Sequence, residues 1–530
     1  MLDVAIVGGG VCGLTLARDL AARGLSFAVF EARGRLGGRV LSVANATIGD
    51  RLDLGPAWHW PDTQPEIVHL LAELGVETFD QYDPGSALIL ADPEEPPETR
   101  AAPRLHSGAR RIAGGMSTLV ERLAETLPPD SIHLRCVLVA VERRADHVLL
   151  TIETNGARSE IAARKAVLAA PPRLLAENVT FAPPIAGPAL AALRGTPTWM
   201  AAQAKAVVGF SGPPAWRAAG QSGNAFVAHE QATLGETFDA CDASGEKAAL
   251  GGFFALSAEQ REAFAFGLPM LVDSQFVQLF GMAVEGGEQR IQDWAAEVFT
   301  CAAADKVTFD GGHPDYGSPH LARPFWDGAL YFGGSETAAR GGGYVEGAIV
   351  AALRIAGQLA QEEAPAAASP APGDVNAASL AEFTAFVAAR RGPAFESYKQ
   401  RLKFALSRGQ REQLTQRAML GAMEAVFADA LTLLEELPFD PRGVAVERGR
   451  SELTPKIQAA FAGFIQGLLD EIVAFNRASC ALSNFPHEHE LSAEYVSTTL
   501  RDIGAAWREF SLAANTRLLE TRGTARAVGF

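Results

Sequence analysis

Three glycines open the chemistry of this chain. Gly8, Gly10 and Gly13 stand in G-x-G-x-x-G spacing between an apolar run at 3–7 and a helical pattern that carries through Arg23. In that setting Gly8 allows a tight turn, Gly10 lets the backbone approach a pyrophosphate, and Gly13 lets the helix pack close to the strand. The helix, opening at Val11 and Cys12, then turns its N-terminus toward the phosphates. A second apolar run at 26–30 ends in Glu31, placed to accept hydrogen bonds from both ribose hydroxyls of an adenosine. Strand, turn, helix and acidic strand end all agree, so a dinucleotide binds at this end.

Lys205 is a signal of another kind. It interrupts the apolar, strand-like run Gln203-Ala204-Lys205-Ala206-Val207, where a charge needs a partner or a purpose. The five cysteines, Cys12, Cys136, Cys241, Cys301 and Cys480, show no C-x-x-C pair and no His/Cys spacing that would hold zinc. His487, Glu488, His489 and Glu490 alternate on an expected loop, where such a cluster is more often solvated than metal-bound. No metal site and no disulfide framework are expected.

The elements that must position these residues fall into two regimes. Through about residue 360 the chain reads as strands alternating with helices, punctuated by Gly and Pro; beyond it helical periodicity dominates. A length of 530 residues suggests two to four domains, and 48% hydrophobic with 20% charged residues is ordinary for a chain that buries a core. Residues 361–378, with Pro365, Pro370 and Pro372 among alanines, read as a linker. The patterns at 379–437 and 452–521, broken near Pro438 to Pro441 and Asn484 to Pro486, fit a bundle of about four or five helices. A net charge of −16 argues against nucleic acid or anionic membrane as partners. Without a basic leader or an apolar span at the N-terminus, a cytoplasmic location is expected.

Immediately after Glu31, Ala32-Arg33-Gly34-Arg35-Leu36-Gly37-Gly38-Arg39 forms a second glycine-rich turn with three arginines. It resembles the signature of flavoprotein oxidases of the monoamine oxidase family. The resemblance continues in order through Asp53-Leu54-Gly55-Pro56-Ala57-Trp58, Gly114-Gly115-Met116, Cys136-Val137, the strand and turn around Ala170 and Pro171, and Tyr331-Phe332-Gly333-Gly334-Ser335-Glu336-Thr337. Gly343-Tyr344-Val345-Glu346-Gly347-Ala348 completes it, and it ends at Ile355. The resemblance implies an α/β fold in which a Rossmann-like FAD-binding domain (1–80, 114–175 and 291–360) interleaves with an α+β substrate domain (81–113 and 176–290). The all-α region at 379–530 has no counterpart in the family and would pack on the oxidase or join copies of the chain.

Site roles follow from the same resemblance. Arg39 would meet the FAD pyrophosphate, with Arg33, Gly37 and Gly38 along the same strip and Val137 at the adenine. Leu54 to Trp58 would pass beside the flavin ring, Gly334, Ser335, Val345 and Ala348 would hold its other edge, and Glu336 would take a ribityl or phosphate-side role. Lys205 takes the role of a lysine that hydrogen-bonds a water near flavin N5, and Tyr344 one wall of an aromatic cage for the amine. Trp294 resembles the landmark before the opposite wall. Counting onward from it puts Ala303 at the family's flavin-linking cysteine and Ala304 at its second cage tyrosine. FAD is therefore expected without a covalent bond, Cys301 being out of register and a link through His313 less favoured. His313 and Tyr316, in a His-Pro-x-Tyr-Gly stretch, offer a substitute lining, with Trp58 beside them.

The expected activity is oxidation of a small-molecule amine with O2 as acceptor. A related flavin oxidase or desaturase acting on a non-amine substrate, or a flavin-containing scaffold subunit, are the alternatives.

Overall fold

The structure is a computed structural model that describes residues 1–101, 105–306, 313–363, 372–407, 413–440, 444–447, 449–479, 482, 488 and 492–526. The chain divides into two compact units, Met1–Ala364 and Pro365–Phe530.

In the first unit, β1 (Leu2–Val7) runs through the glycine turn into α1 (Val11–Ala22) and back into β2 (Phe27–Glu31). β1 and β2 pair in parallel, Val4 opposite Phe27 and Val7 opposite Phe30, which a tight hairpin cannot achieve and a helical crossover can. Both faces of the sheet are covered, so alternate residues of β1 enter different cores. Val4 and Ile6 pack with Leu14 and Leu16 of α1 and with Ile349, Ile355 and Leu359 of the helix Val345–Glu363. Ala5 and Val7 join Leu150, Leu168 and Phe332 on the other side. The strand Ala157–Leu168 lies parallel to the free edge of β1, and its far end pairs with Leu330–Phe332. This brings the first and last glycine motifs of the unit to the same end of one eight-stranded sheet.

The second sheet has seven strands in the order Glu288–Asp293, Ala204–Gly209, Ala249–Phe254, Leu234–Asp239, Gln221–Val227, Ser86–Leu90 and Glu98–Arg100. Its strands come from two separate stretches, so the two sheets interleave along the chain. The border expected at residue 176 shifts. Thr180–Ala182 pairs with the first sheet, and the helix Gly187–Gly195 sends Ala189 and Leu193 into that sheet's core. Glu288–Asp293 likewise carries the second sheet past the border expected at 290.

The second unit contains the helices Pro372–Ala389, Arg391–Ser407, Leu414–Glu436, Leu453–Ala459, Phe464–Ala478 and Ala493–Arg526. Of the expected linker, 364–371 lies outside the described residues, and the flanking residues are helical. Leu453–Arg477 is apolar enough by length and composition to cross a membrane, at a mean hydropathy of 1.3. It is interrupted at Gly463, whose φ is 74°, and its Ile457, Phe461, Leu468 and Ile472 enter the bundle core with Phe427 and Phe510.

Glu488 departs from the solvated cluster expected of it. It is 3% exposed and accepts hydrogen bonds from the Leu414 and Thr415 amides at 2.8 and 2.9 Å, while the Tyr495 hydroxyl donates to it at 3.0 Å. Two orphan donors at the start of the helix Leu414–Glu436 are thereby satisfied, and the carboxylate meets the positive end of the helix dipole. Its three companions, His487, His489 and Glu490, lie outside the described residues. Replacing Glu488 with Ala strands buried amides and is expected to cost about 2–3 kcal/mol. In urea, the helical signal of the full chain should begin to fall earlier in Glu488→Ala; unchanged curves would remove the cap.

Candidate active site

At the end of the first sheet, a cavity of about 630 Å³ runs from the glycine turn to the face of the second sheet. Its nucleotide end is built by hydrogen bonds that tie the first glycine turn to β2 and to the second glycine motif. The Gly8 amide donates to Phe30 O at 2.8 Å and the Gly37 amide to Gly9 O at 2.8 Å. Glu31, 4% exposed, accepts from the Gly9 amide at 2.7 Å through Oε2 and from the Arg33 amide at 2.8 Å through Oε1. Its carboxylate thus holds both turns in place while it lines the cavity.

Two glycines make the crossover possible, and a third makes the cavity usable. A Cβ at Gly13 would stand 2.0 Å from Gly8 O, and one at Gly8 would stand 2.4 Å from Ala169 O. Gly10 differs, since a Cβ there meets no protein atom nearer than 3.9 Å, and its φ of −82° suits any residue. Packing of the chain itself therefore does not demand glycine at position 10. A ligand lying against the backbone does, and Gly10, Val11 and Cys12 all line the cavity at the N-terminus of α1.

The arginines divide their work. Arg35 donates to the carbonyls of Leu36, Val40 and Gly38 and closes its own turn. Arg33 lines the cavity, but its guanidinium is engaged by Glu297 at 3.0 Å and by the Thr300 hydroxyl at 2.7 Å. Instead of a phosphate-facing fork it is a tie to the turn after Trp294. Arg39 lines the cavity and pairs with Glu336, Nη1 to Oε1 at 2.6 Å, with Nη2 reaching Ser335 Oγ at 3.2 Å. Glu336 has a fully buried side chain and does not itself line the cavity. It supports Arg39, whose guanidinium is held above its usual range against the opposing effect of burial, chiefly by this carboxylate.

Lys205 stands at the other end, 2% exposed. Its strand is buried on both faces: Ala204, Ala206 and Val208 meet the helix layer of Phe276, and the alternate residues Lys205 and Val207 face the cavity side. Nζ donates to Gly55 O at 3.0 Å and lies 5.0 Å from the ring centre of Phe238, 5.3 Å from Phe253 and 5.5 Å from Trp58. Burial pulls its pKa down to about 7, opposed by Asp53 and reinforced by Arg111. Gly251 makes this ring cluster possible, because a Cβ there would stand 2.2 Å from the Phe238 ring.

Trp58 is fixed on two sides. Its indole N–H donates to Gln81 Oε1 at 2.8 Å, and His106 stacks on it at 4.6 Å. Trp294 lines the cavity and donates to Leu54 O at 3.1 Å, which anchors the loop beside Lys205.

Leu54, Gly55, Pro56, Ala57, Ala32, Gly37, Gly38, Val137, Ala170, Pro171, Gly334, Ser335, Gly343, Tyr344, Val345 and Ala348 all line the same cavity. Gly13 and Glu336 do not, acting one layer behind.

Three expected lining residues are corrected. Ala304 is exposed on a short turn, where its carbonyl accepts from Arg173 at 3.2 Å. Tyr316 lies behind the wall, because its hydroxyl is committed to backbone, accepting from the Trp199 amide at 3.0 Å and donating to Pro197 O at 2.9 Å. His313 is exposed and stacks on Tyr344 at 5.0 Å without lining the cavity. The ring brought to the cavity is Trp199, packed edge-on to Tyr344 at 4.9 Å. Sequence reasoning missed it; an aromatic between Pro197 and the apolar strand of Lys205 was the available signal. Met200, Gln203 and Phe253 were missed for the same reason, since cross-sheet proximity leaves no spacing to read.

The fold and cavity define a dinucleotide-binding protein in which one cavity joins the glycine turns to an aromatic chamber with a buried lysine. A family model described as flavin containing amine oxidoreductase matches residues 11–93 and 97–360, and the chain belongs to that family. It is a flavin-dependent amine oxidase by family, with FAD as its cofactor. Amine oxidase [flavin-containing] B of Sus scrofa is 24% identical over 465 residues, covering 67% of this chain and 86% of that protein. Putrescine oxidase of Kocuria rosea is 41% identical over 119 residues, only 22% of this chain and 23% of that relative. Among solved structures, wild-type putrescine oxidase bound to putrescine superposes with a TM-score of 0.55 at 21% identity, covering 68% of this chain and 99% of that one. Cyclohexylamine oxidase from Brevibacterium oxydans IH-35A gives 0.55 at 18% identity, with the same coverage. At these identities the superpositions establish the fold.

Proposed function

We propose that this chain oxidises the C–N bond of a small amine, with O2 as the electron acceptor. Bound FAD would supply the hydride acceptor: the amine would lose a hydride and a proton to become an imine, water would split the imine into an aldehyde or ketone and ammonia or an amine, and O2 would take up the two electrons with two protons to give H2O2. The observation that carries the reading is Lys205, buried in a ring cluster at the end of a cavity whose other end is the dinucleotide turn.

The chain's own residues supply position and environment. Gly8 to Cys12 and Glu31 hold the nucleotide end, and Arg39, steadied by Glu336, presents its guanidinium midway. Trp58, Trp199, Phe253 and Tyr344 exclude water around the reacting carbon and present ring faces to an amine. Lys205, with its pKa pulled down to about 7 by burial, can hold or release a proton near neutral pH at this end of the cavity.

Attachment of FAD is noncovalent in this reading. Cys301 is buried with its thiol on Ala302 O at 3.6 Å, and it does not line the cavity. Cys12 and Cys136 line the cavity toward its nucleotide end, and burial raises the Cys12 thiol to about 11.

The test is to mix purified yellow protein anaerobically with amines. Bleaching, recolouring in air with H2O2 formed, and release of the flavin by acid are expected. Colour that no amine bleaches would overturn the reading.

A further inference from the structure

The lining of the reactive end narrows the amine. Beside Lys205 and Tyr344 it consists of Trp58, Trp60, Trp199, Met200, Gln203 and Phe253. The Gln203 amide nitrogen donates to Phe254 O at 3.0 Å, leaving its uncharged carbonyl oxygen as the acceptor on this side. Among the described lining residues the sole carboxylate is Glu31, at the nucleotide end, where both of its oxygens accept backbone amides. On the solvent side of Trp199, Met200 also lines the cavity and is 41% exposed.

We propose that this end selects a monoamine bearing an apolar alkyl or aryl substituent over a diamine, and that Trp199 sets the size of that substituent. The inference rests on the amine-oxidation reading above. A diamine enters with its second nitrogen protonated, and that ammonium would leave water with no carboxylate among the described lining residues to receive it, in a chamber that already holds Lys205. An apolar substituent faces rings and a thioether, which gain by covering it.

Trp199 is held in place by packing on both sides. Its backbone amide is tied to Tyr316, its ring packs edge-on to Tyr344 at 4.9 Å and to His313 at 4.5 Å, and even a Cβ at Gly343 would stand 3.2 Å from its Cε3. A large ring so held defines a fixed boundary, and shortening it adds volume in one place.

The experiment is anaerobic stopped-flow bleaching of the full-length holoenzyme by n-hexylamine, benzylamine and putrescine. Bleaching efficiency, the limiting rate over the apparent Kd, is expected to be at least about a hundredfold higher for the better monoamine than for putrescine, equivalent to about two tenfold steps in affinity. Putrescine within about threefold of it, or ahead, would overturn the proposal while leaving amine oxidation standing. Bleaching by none of the three or by any other amine would instead strike the amine-oxidation reading, and this inference with it. Trp199→Ala, with an unchanged flavin spectrum, should shift the preference toward bulkier arylalkylamines, and Trp199→Phe should move it part of the way. An identical amine profile in Trp199→Ala would remove Trp199 as the size determinant.

Discussion

Lys205→Met should retain full flavin colour and lose most of its turnover. Met fills nearly the volume of the lysine stem and leaves the rings of Trp58, Phe238 and Phe253 packed, so the cavity and the cofactor end are undisturbed. What disappears is a proton-holding group in a dry site, where such a group is worth about a hundredfold or more in rate. The larger loss is expected in reoxidation. In the proposed reaction negative charge would build on oxygen as electrons leave, and a cationic Lys205 would stabilise it. With the lysine titrating at about 7, wild-type reoxidation should slow as pH rises through that value, and the variant should show no such step. Equal reoxidation rates in both proteins across pH 6 to 9 would sink this role.

Stability supplies an independent readout of the same residue. The folded-state pKa of Lys205 is about 7, depressed from 10.5. Between these values the unfolded chain binds the proton and the folded chain does not, so this residue makes stability rise with pH across that window. Below about 7 both states are protonated and the full cost of burying the charge is paid. Lys205→Met removes that cost. Its melting temperature at pH 7 should exceed that of the wild type, the gap closing toward pH 10.5. A variant that is both more stable and nearly inactive would separate a functional lysine from a merely tolerated one.

How much of this was legible in sequence depends on the range of the contact. Glu31, Gly10 and α1 are near neighbours in the chain, and their chemistry is written in spacing. The last glycine motif is remote, yet its small residues, strand and helix repeat the same local requirement, so Gly334 and Ser335 could be placed as well. Lys205 was visible because a charge in an apolar run is locally anomalous. The partners that give it meaning, Phe238 and Phe253, lie on neighbouring strands of a sheet whose register no local pattern records. The same holds for Trp199. Counting forward from Trp294 led to Ala304, but the chain there makes a short exposed turn, and the ring that lines the cavity comes from the segment before Lys205. Tyr316 was placed in the right neighbourhood and one layer too far forward, because its hydroxyl is engaged by the backbone around Trp199. Glu488 looked like a solvated cluster in sequence, and only the bundle's fold shows the two helix amides that bury it.

Gly10→Val should fold and fail to hold FAD, whereas Gly13→Val should fail at both. The two positions belong to one motif and are glycine for different reasons. At Gly13 any Cβ runs into Gly8 O at 2.0 Å, so α1 must lift away from β1 and the core of Leu14, Leu16 and Ile6 opens. That overpacking sits between backbone atoms, which cannot rotate aside, and its cost falls on folding itself. At Gly10 the nearest protein atom to a Cβ is 3.9 Å away and the backbone lies at φ −82°, so the apo chain accommodates a branched side chain. The added methyls instead occupy the place where the pyrophosphate would approach the N-terminus of α1. Losing that approach and its N–H contacts should cost about 3 kcal/mol of binding, or about a hundredfold in Kd. The measurement pairs far-UV circular dichroism with FAD titration of the apo proteins. A folded Gly10→Val that takes up FAD as the wild type does would show that no phosphate lies against this turn. A Gly10→Val that does not fold would show that the chain's own packing, rather than the ligand, requires this glycine.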